Sequence, residues 1–186
     1  MADMQDIKNL DGGEVVFLKV QSERLRETTK KLVVELVEEG NLIIYISFSK
    51  QVEKLKDVYE HKGINTKRIL FFDCITKTIG SVPDRMENTI FFEPSELTNI
   101  QMKLGDAIES VPEGKKGYII FDSMDVANTY NDLNTLRKFI RSISAKLREW
   151  EAPSIFVGLD DGMDDKLKTE LEKSSEQTVE MEFEED

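Results

Sequence analysis

Residues 118–123 read Tyr-Ile-Ile-Phe-Asp-Ser, a run of apolar and aromatic side chains that ends in an aspartate and a serine. A strand with one face in water alternates apolar and polar residues, whereas a strand covered on both faces is continuously apolar. Strands of the second kind belong to parallel sheets that carry helices on both sides. The stretch therefore predicts a central strand of an α/β protein.

Similar apolar runs recur along the chain, and helical patterns separate them. The runs lie at residues 15–20, 42–48, 69–72, 89–92 and 154–159. The intervening segments repeat apolar residues at helical spacing, most clearly at Leu136, Phe139, Ile140, Ile143 and Leu147. This alternation is typical of βαβ units. We expect an α/β fold on a doubly wound, mostly parallel sheet.

The last segment has a different pattern from the central runs. Residues 178–184 alternate Val179, Met181 and Phe183 with polar and acidic residues. One polar face and a row of charges are typical of a strand at the edge of a sheet. The sequence therefore predicts a C-terminal edge strand.

Neither a repeat nor a linker interrupts the pattern, which predicts a single domain over residues 1–186. We expect residues 1–13 and 184–186 to be flexible. The longest irregular stretch is 74–88, which contains Gly80 and Pro83. Such a loop on a rigid scaffold is either a functional or partner-contacting segment or a mobile surface loop.

The composition limits the classes of partner. The chain carries 37 acidic and 25 basic residues, a net charge of −12 at pH 7. Such a surface repels phosphate backbones, so we expect neither a nucleic acid partner nor membrane association. Residues 1–13 lack the apolar core of a signal peptide, and no apolar run approaches the roughly 20 residues that cross a bilayer. We therefore expect a cytoplasmic protein.

Cysteine and histidine chemistry is also limited. The single cysteine, Cys74, excludes an internal disulfide. Together with the single His61 it cannot complete a zinc site. Cys74 is more consistent with a half-buried thiol than with a nucleophile, since no base is assured beside it.

The turn after the first strand is where a phosphate-binding loop would lie, because ligands bind beyond the carboxyl ends of parallel strands. Such a loop needs glycines, a lysine and a Ser/Thr hydroxyl. With Thr28 at the hydroxyl position, Gln21 and Arg26 occupy the glycine positions and Glu27 the lysine position. A carboxylate about 4 Å from a phosphate charge is repelled by roughly 4 kcal/mol at an effective dielectric near 20. The segment instead predicts a simple helix capped by Ser22.

Several segments resemble those of RecA-superfamily ATPases, in the same order along the chain. Residues 118–123 resemble the Walker B strand of KaiC-like proteins. The other matching segments lie at residues 42–48, 62–66, 69–77, 92–98 and 130–132. From residue 15 to 183 the chain is similar to a group of archaeal KaiC-like proteins, many of which lack a working P-loop. The resemblance implies a three-layer RecA/KaiC-like domain.

The resemblance also implies positions for the remnants of a nucleotide site. These are Thr28, Thr29, Asp122 and Ser123. The active relatives carry a catalytic glutamate just after the second strand, whereas this chain has Ser-Phe-Ser-Lys at residues 47–50. Because the phosphate loop and the base are both missing, we expect no cofactor and no enzyme activity.

Loss of catalysis leaves protein contacts as the expected role. The related ATPases assemble into rings, so the resemblance implies self-association or docking onto a protein partner, in regulation or signalling. Partner and pathway stay open at this point.

A second hypothesis assigns chemistry to the carboxylates at the strand ends. These are Asp73, Glu93, Asp122 and Asp160. Gathered carboxylates suit Mg²⁺, so the alternative is a magnesium-dependent nucleotide-binding or phosphate-ester enzyme. Carboxylates at helix N-termini are also stabilising without any metal, and this structural interpretation is the favoured one.

Overall fold

The computed structural model describes residues 4–181, which form seven strands and eight α-helices. The strands are β1 Val15–Val20, β2 Leu42–Ser47, β3 Ile69–Asp73, β4 Thr89–Phe91, β5 Gly117–Asp122, β6 Ser154–Leu159 and β7 Gln177–Glu180. The helices are α1 Met4–Lys8, α2 Leu25–Glu38, α3 Val52–His61, α4 Thr76–Ile79, α5 Leu97–Glu109, α6 Met124–Tyr130, α7 Leu133–Glu149 and α8 Asp165–Ser174. The apolar runs in the sequence therefore predicted every strand to within one residue at each end over residues 15–159.

The strands form one sheet in the order β4-β3-β2-β5-β6-β1-β7. Each pairing is parallel, so the predicted doubly wound sheet is confirmed and is parallel throughout. The edge strand predicted at residues 178–184 is confirmed as β7, which pairs with β1 through Val179 opposite Leu18. Residues 182–184 of that prediction lie outside the described residues.

Successive side chains of a strand point to opposite faces, and this produces two apolar layers. Helices α1, α2 and α3 cover one face, where they meet the strand residues Leu18, Tyr45 and Ile120. Helices α5 to α8 cover the other face, against Phe17, Phe121, Phe156 and their neighbours. The continuous apolar runs are explained by this coverage on both sides.

The N-terminal segment from residue 4 packs against the sheet. Ile7 and Leu10 are fully buried against the core, where flexibility was expected for residues 1–13. The Tyr118 hydroxyl donates to the Lys8 carbonyl at 2.6 Å, and Lys116 Nζ donates to the Leu10 carbonyl at 2.6 Å. Because Tyr118 lies in β5 and Lys116 directly before it, more than 100 residues away in sequence, the local pattern did not reveal the packing. The other expected flexible residues, 184–186, lie outside the described part of the chain.

The strand order places one crevice above the middle of the sheet. Strands β1 and β2 are consecutive in sequence, yet β6 and β5 lie between them. The turn after β1 and the ends of β2 and β5 therefore meet at the carboxyl edge, where α/β proteins bind ligands. No helix in residues 4–181 is long and apolar enough to span a bilayer.

Candidate functional site

The turn after β1 enters a helix without forming a loop. Residues Ser22–Arg24 form a single 3-10 turn that leads directly into α2. Gln21 is extended, with φ −66° and ψ 140°, and no residue from 21 to 29 has a positive φ. A phosphate cradle needs such backbone freedom so that successive N–H groups can converge. The geometry of this turn provides none.

Ser22 does not cap the helix, contrary to its prediction. Its N–H and hydroxyl both donate to the Asp161 carboxylate, at 3.2 and 3.3 Å, in the loop after β6. Glu27 faces solvent with 65% of its side chain exposed, and it pairs with Arg24 at 3.3 Å. The position where a P-loop would carry its lysine therefore points away from the crevice.

The two threonines of the predicted remnant site are buried in α2. The Thr29 hydroxyl donates to the Leu25 carbonyl at 2.9 Å, one turn earlier in the helix. The Thr28 hydroxyl has no hydrogen-bond partner among residues 4–181. One hydroxyl is thus used within the helix, and the other is enclosed by the core.

Asp122 is the last residue of β5, and its side chain is buried beneath the crevice next to Tyr45. The Tyr45 hydroxyl of β2 donates to its Oδ2, and both side chains are fully buried. Its other oxygen, Oδ1, has no hydrogen bond of ordinary geometry in the described part of the chain, and the nearby Ser49 hydroxyl lowers the pKa of the carboxyl slightly. A cis peptide bond joins Asp122 to Ser123.

Burial dominates the electrostatics around Asp122. It raises the pKa of Asp122, and the Tyr45 hydrogen bond and the Lys50 charge only partly oppose it. The pKa of Tyr45 is raised well above its ordinary value, first by burial and then by the Asp122 charge. Burial also raises the pKa of Tyr59, which lies beside them on α3. The folded state therefore favours the neutral form of each group.

Replacing Asp122 with asparagine should increase the free energy of unfolding at pH 7 by about 1 kcal/mol, because an amide avoids the cost of burying a charge. The folded-state pKa is raised above the ordinary 3.8, so the wild type has its full stability below that pH. It loses this contribution as the pH rises through the folded-state value.

The gain from Asp122→Asn should therefore grow as the pH increases. Urea denaturation of both proteins between about pH 3 and 8 measures it. The exposed Asp84→Asn variant is the matched control, with little change expected. An Asp122→Asn protein less stable than the wild type at pH 7 would contradict a net cost of the buried carboxylate.

Asp73, at the end of β3, has a structural role: its carboxylate accepts hydrogen bonds from the starts of two helices. Its Oδ1 accepts from the N–H groups of Ile75 and Thr76, at 3.0 and 2.8 Å. Its Oδ2 accepts from the Thr76 hydroxyl at 2.6 Å and from the Val52 N–H at 2.9 Å. The carboxylate thus joins the start of α3 to the start of α4, as the structural interpretation of the strand-end acids predicts.

The two remaining strand-end acids are Glu93 and Asp160. Glu93 is exposed, and Asp160 pairs with Lys168 at 3.1 Å and with Lys19 at 3.6 Å. In residues 4–181 no group of three or more Asp, Glu, His or Cys side chains could hold a metal ion. The carboxylates that sequence reasoning grouped by topology therefore do not form a metal site in the described part of the chain.

Two other positions have local roles. The Ser47 hydroxyl donates to the Lys50 carbonyl at 2.6 Å and accepts from the Lys50 N–H at 3.1 Å, which closes the turn after β2.

Cys74 is fully buried, more so than predicted, and burial raises the pKa of its thiol well above the ordinary value. A neutral buried thiol does not suit nucleophilic chemistry.

A groove that sequence reasoning missed opens between α2 and α3, beside the turn after β2. Its volume is about 320 Å³. The basic residues that line it are Arg26, Lys30, Lys50 and Lys54, and the uncharged ones include Thr29, Ser49, Val58, Tyr59 and Ile79. The signal in the sequence was two pairs of cations spaced i, i+4, which place each pair on one side of its segment.

Comparison with known proteins identifies the fold. No protein-family profile matches the chain, and no curated protein sequence is significantly similar to it. A KaiC-like protein from the archaeon Pyrococcus horikoshii superposes with a TM-score of 0.63 at 11% identity, over 92% of this chain and 73% of that one. An uncharacterised protein from Pyrococcus horikoshii, solved with an unknown peptide, gives 0.70 at 11% identity, over 96% and 81%.

A third similar structure is the flagellar accessory protein FlaH from Methanocaldococcus jannaschii. Its TM-score is 0.57 at 11% identity, over 95% of this chain and 76% of that one. At this level of identity the likeness concerns the fold. The all-parallel sheet, the helices on both of its faces and these superpositions together show that the chain has a RecA/KaiC-like α/β fold.

Proposed function

We propose that this chain is a RecA-like domain that has lost ATP hydrolysis and acts through contacts with protein partners, in regulation or signalling. The observation that carries the proposal is the turn after β1. It contains no glycine, begins as a 3-10 turn and directs Glu27 into solvent. A degenerate P-loop is the simplest origin of such a turn in this fold.

The residues at the strand ends do not fit a magnesium–nucleotide complex. A hydroxyl that should reach the metal, that of Thr28, is fully buried in the core. Asp122 has no accessible surface and accepts from Tyr45. The turn after β2 offers Ser49 and Lys50 where a catalytic base would stand. A magnesium-dependent enzyme is for these reasons the less favoured function.

A contact role is supported by apolar side chains on the surface of segment 74–88. Ile79 and Val82 are 58% and 40% exposed. Exposed apolar side chains three residues apart in one surface segment favour a protein contact there. One structure with the same fold holds a peptide. A protein partner or a second copy of this chain is accordingly the proposed ligand of this side.

Calorimetric titration with ATP and Mg²⁺, combined with light scattering on the same sample, tests the proposal. We expect no ATP binding that depends on Mg²⁺, and a mass above that of one 21.4 kDa chain if self-association is the contact. Submillimolar ATP binding that requires Mg²⁺ and disappears in the Asp122→Asn variant would contradict the proposal. A monomer without Mg²⁺-dependent ATP binding would support lost catalysis and leave a different protein as the partner.

A further inference from the structure

The groove between α2 and α3 concentrates positive charge on an acidic protein. Arg26 and Lys30 project from α2, and Lys50 and Lys54 come from the turn after β2 and from α3. Among the described residues no Asp or Glu lines the groove. The whole chain carries a net charge of −12, so this local excess runs against the average charge of the surface.

None of these four cations forms an ion pair or a side-chain hydrogen bond within residues 4–181. Neighbours such as Arg24, Lys31 and Lys19 do pair with carboxylates. Arg26 and Lys30 are like charges at i, i+4 of α2 and repel each other, and Lys50 and Lys54 bring two more positive charges to the same groove. An anion in the groove would remove this repulsion and replace it with attraction.

The rest of the lining suits an organic molecule. Val58 and Ile79 form part of an apolar wall, and the uncharged polar residues Ser49 and Gln51 also line the groove. The volume of about 320 Å³ falls in the range of small-molecule sites, which combine apolar walls with a few polar groups. A protein segment would need a longer and more open surface.

We infer that the α2–α3 groove binds a small organic anion with at least two negative charges, with phosphate as the charged group. The site lies along the side of α2 that faces α3, and it includes Arg26, one of the two residues at the glycine positions of a P-loop. It needs neither Mg²⁺ nor Asp122. The inference goes beyond the proposed function and does not depend on it.

Titration calorimetry with pyrophosphate, and with ATP in the absence of magnesium, tests the groove. We expect dissociation constants on the order of 1 mM or tighter. The double variant Arg26→Glu/Lys54→Glu should weaken both by at least about tenfold, since charge-assisted contacts become repulsive. Added salt should weaken binding to the wild type, because the cations are solvent-accessible.

A matched control separates the groove from the overall charge. The variant Lys115→Glu/Lys138→Glu changes two exposed lysines elsewhere and has the same net charge. We expect it, like Asp122→Asn, to bind pyrophosphate within about twofold of the wild type. Circular dichroism melting of each variant confirms that the fold is intact.

Three results would overturn the inference. They are the absence of pyrophosphate and ATP binding, an equal loss in the groove and control variants, and binding of a hexaglutamate peptide without binding of the small anions. The last result would assign the groove to an acidic protein segment. Mg²⁺-dependent ATP binding that is lost in Asp122→Asn contradicts the proposed function instead, so the two failures are distinguishable.

Discussion

Replacing Asp73 with alanine should lower the free energy of unfolding by roughly 3–5 kcal/mol, as expected for breaking a buried hydrogen-bond network around a charge. Its two carboxylate oxygens accept from three backbone N–H groups and from the Thr76 hydroxyl. The side chain has no accessible surface, so water cannot replace the lost acceptor. The N–H groups that start α3 and α4 would be left unsatisfied.

Urea denaturation monitored by circular dichroism measures this effect, and two variants control it. Asp73→Asn keeps the shape but turns one acceptor into a donor, so it should lose about half as much stability. Asp160→Ala removes a strand-end acid that is 43% exposed, so its effect should stay below about 1 kcal/mol. If Asp73→Ala were as stable as the wild type, the structural role assigned to the Asp73 carboxylate would be contradicted.

Phe121→Ala should destabilise the protein by about 3–5 kcal/mol, the usual cost of removing a buried phenyl ring. Phe121 is fully buried. Its ring stacks on Phe156, with centroids 4.6 Å apart, and meets the edge of Phe139 at 6.4 Å. The truncation would therefore leave a cavity between the sheet and α7.

The control for Phe121→Ala is Met102→Ala on α5. Met102 is 63% exposed, and its loss should change the free energy of unfolding by less than about 0.5 kcal/mol. Thermal or urea denaturation distinguishes the two variants. A Phe121→Ala protein within about 1 kcal/mol of the wild type would contradict a close-packed layer at this position. Phe121 and Asp122 point to opposite faces of the sheet, so the surroundings of Asp122 should be the same in the Phe121→Ala variant.

The strands and the main helices could be predicted because their signals are local. A continuous apolar run such as 118–121 needs no knowledge of its neighbours to indicate a strand covered on both faces. The missing glycines at Gln21 and Arg26 are equally local, and the structure agrees that the turn has no positive φ. Caps were less predictable. Asp132 caps α7 by accepting from the Thr135 N–H, whereas Ser22 donates to Asp161 instead of capping its helix as predicted.

The candidate site required the tertiary structure. Asp122 and Tyr45 are 77 residues apart, and they meet because β5 pairs with β2. Asp73 reaches Val52 across 21 residues, and Ile7 packs on a sheet whose order its own segment does not encode. The groove appears when α2 and α3 lie side by side, which brings two pairs of cations together.

The sequence by itself determined the α/β class, the extent of the strands and a first turn without the residues of a phosphate loop. These properties depend on the period of apolar side chains and on the backbone freedom of single residues. Only the tertiary structure decided which strands are neighbours, which strand-end acid joins two helices through hydrogen bonds, and where cations without ion-pair partners lie together. Those properties depend on pairs of residues far apart in sequence, whose meeting is set by the sheet order and by burial.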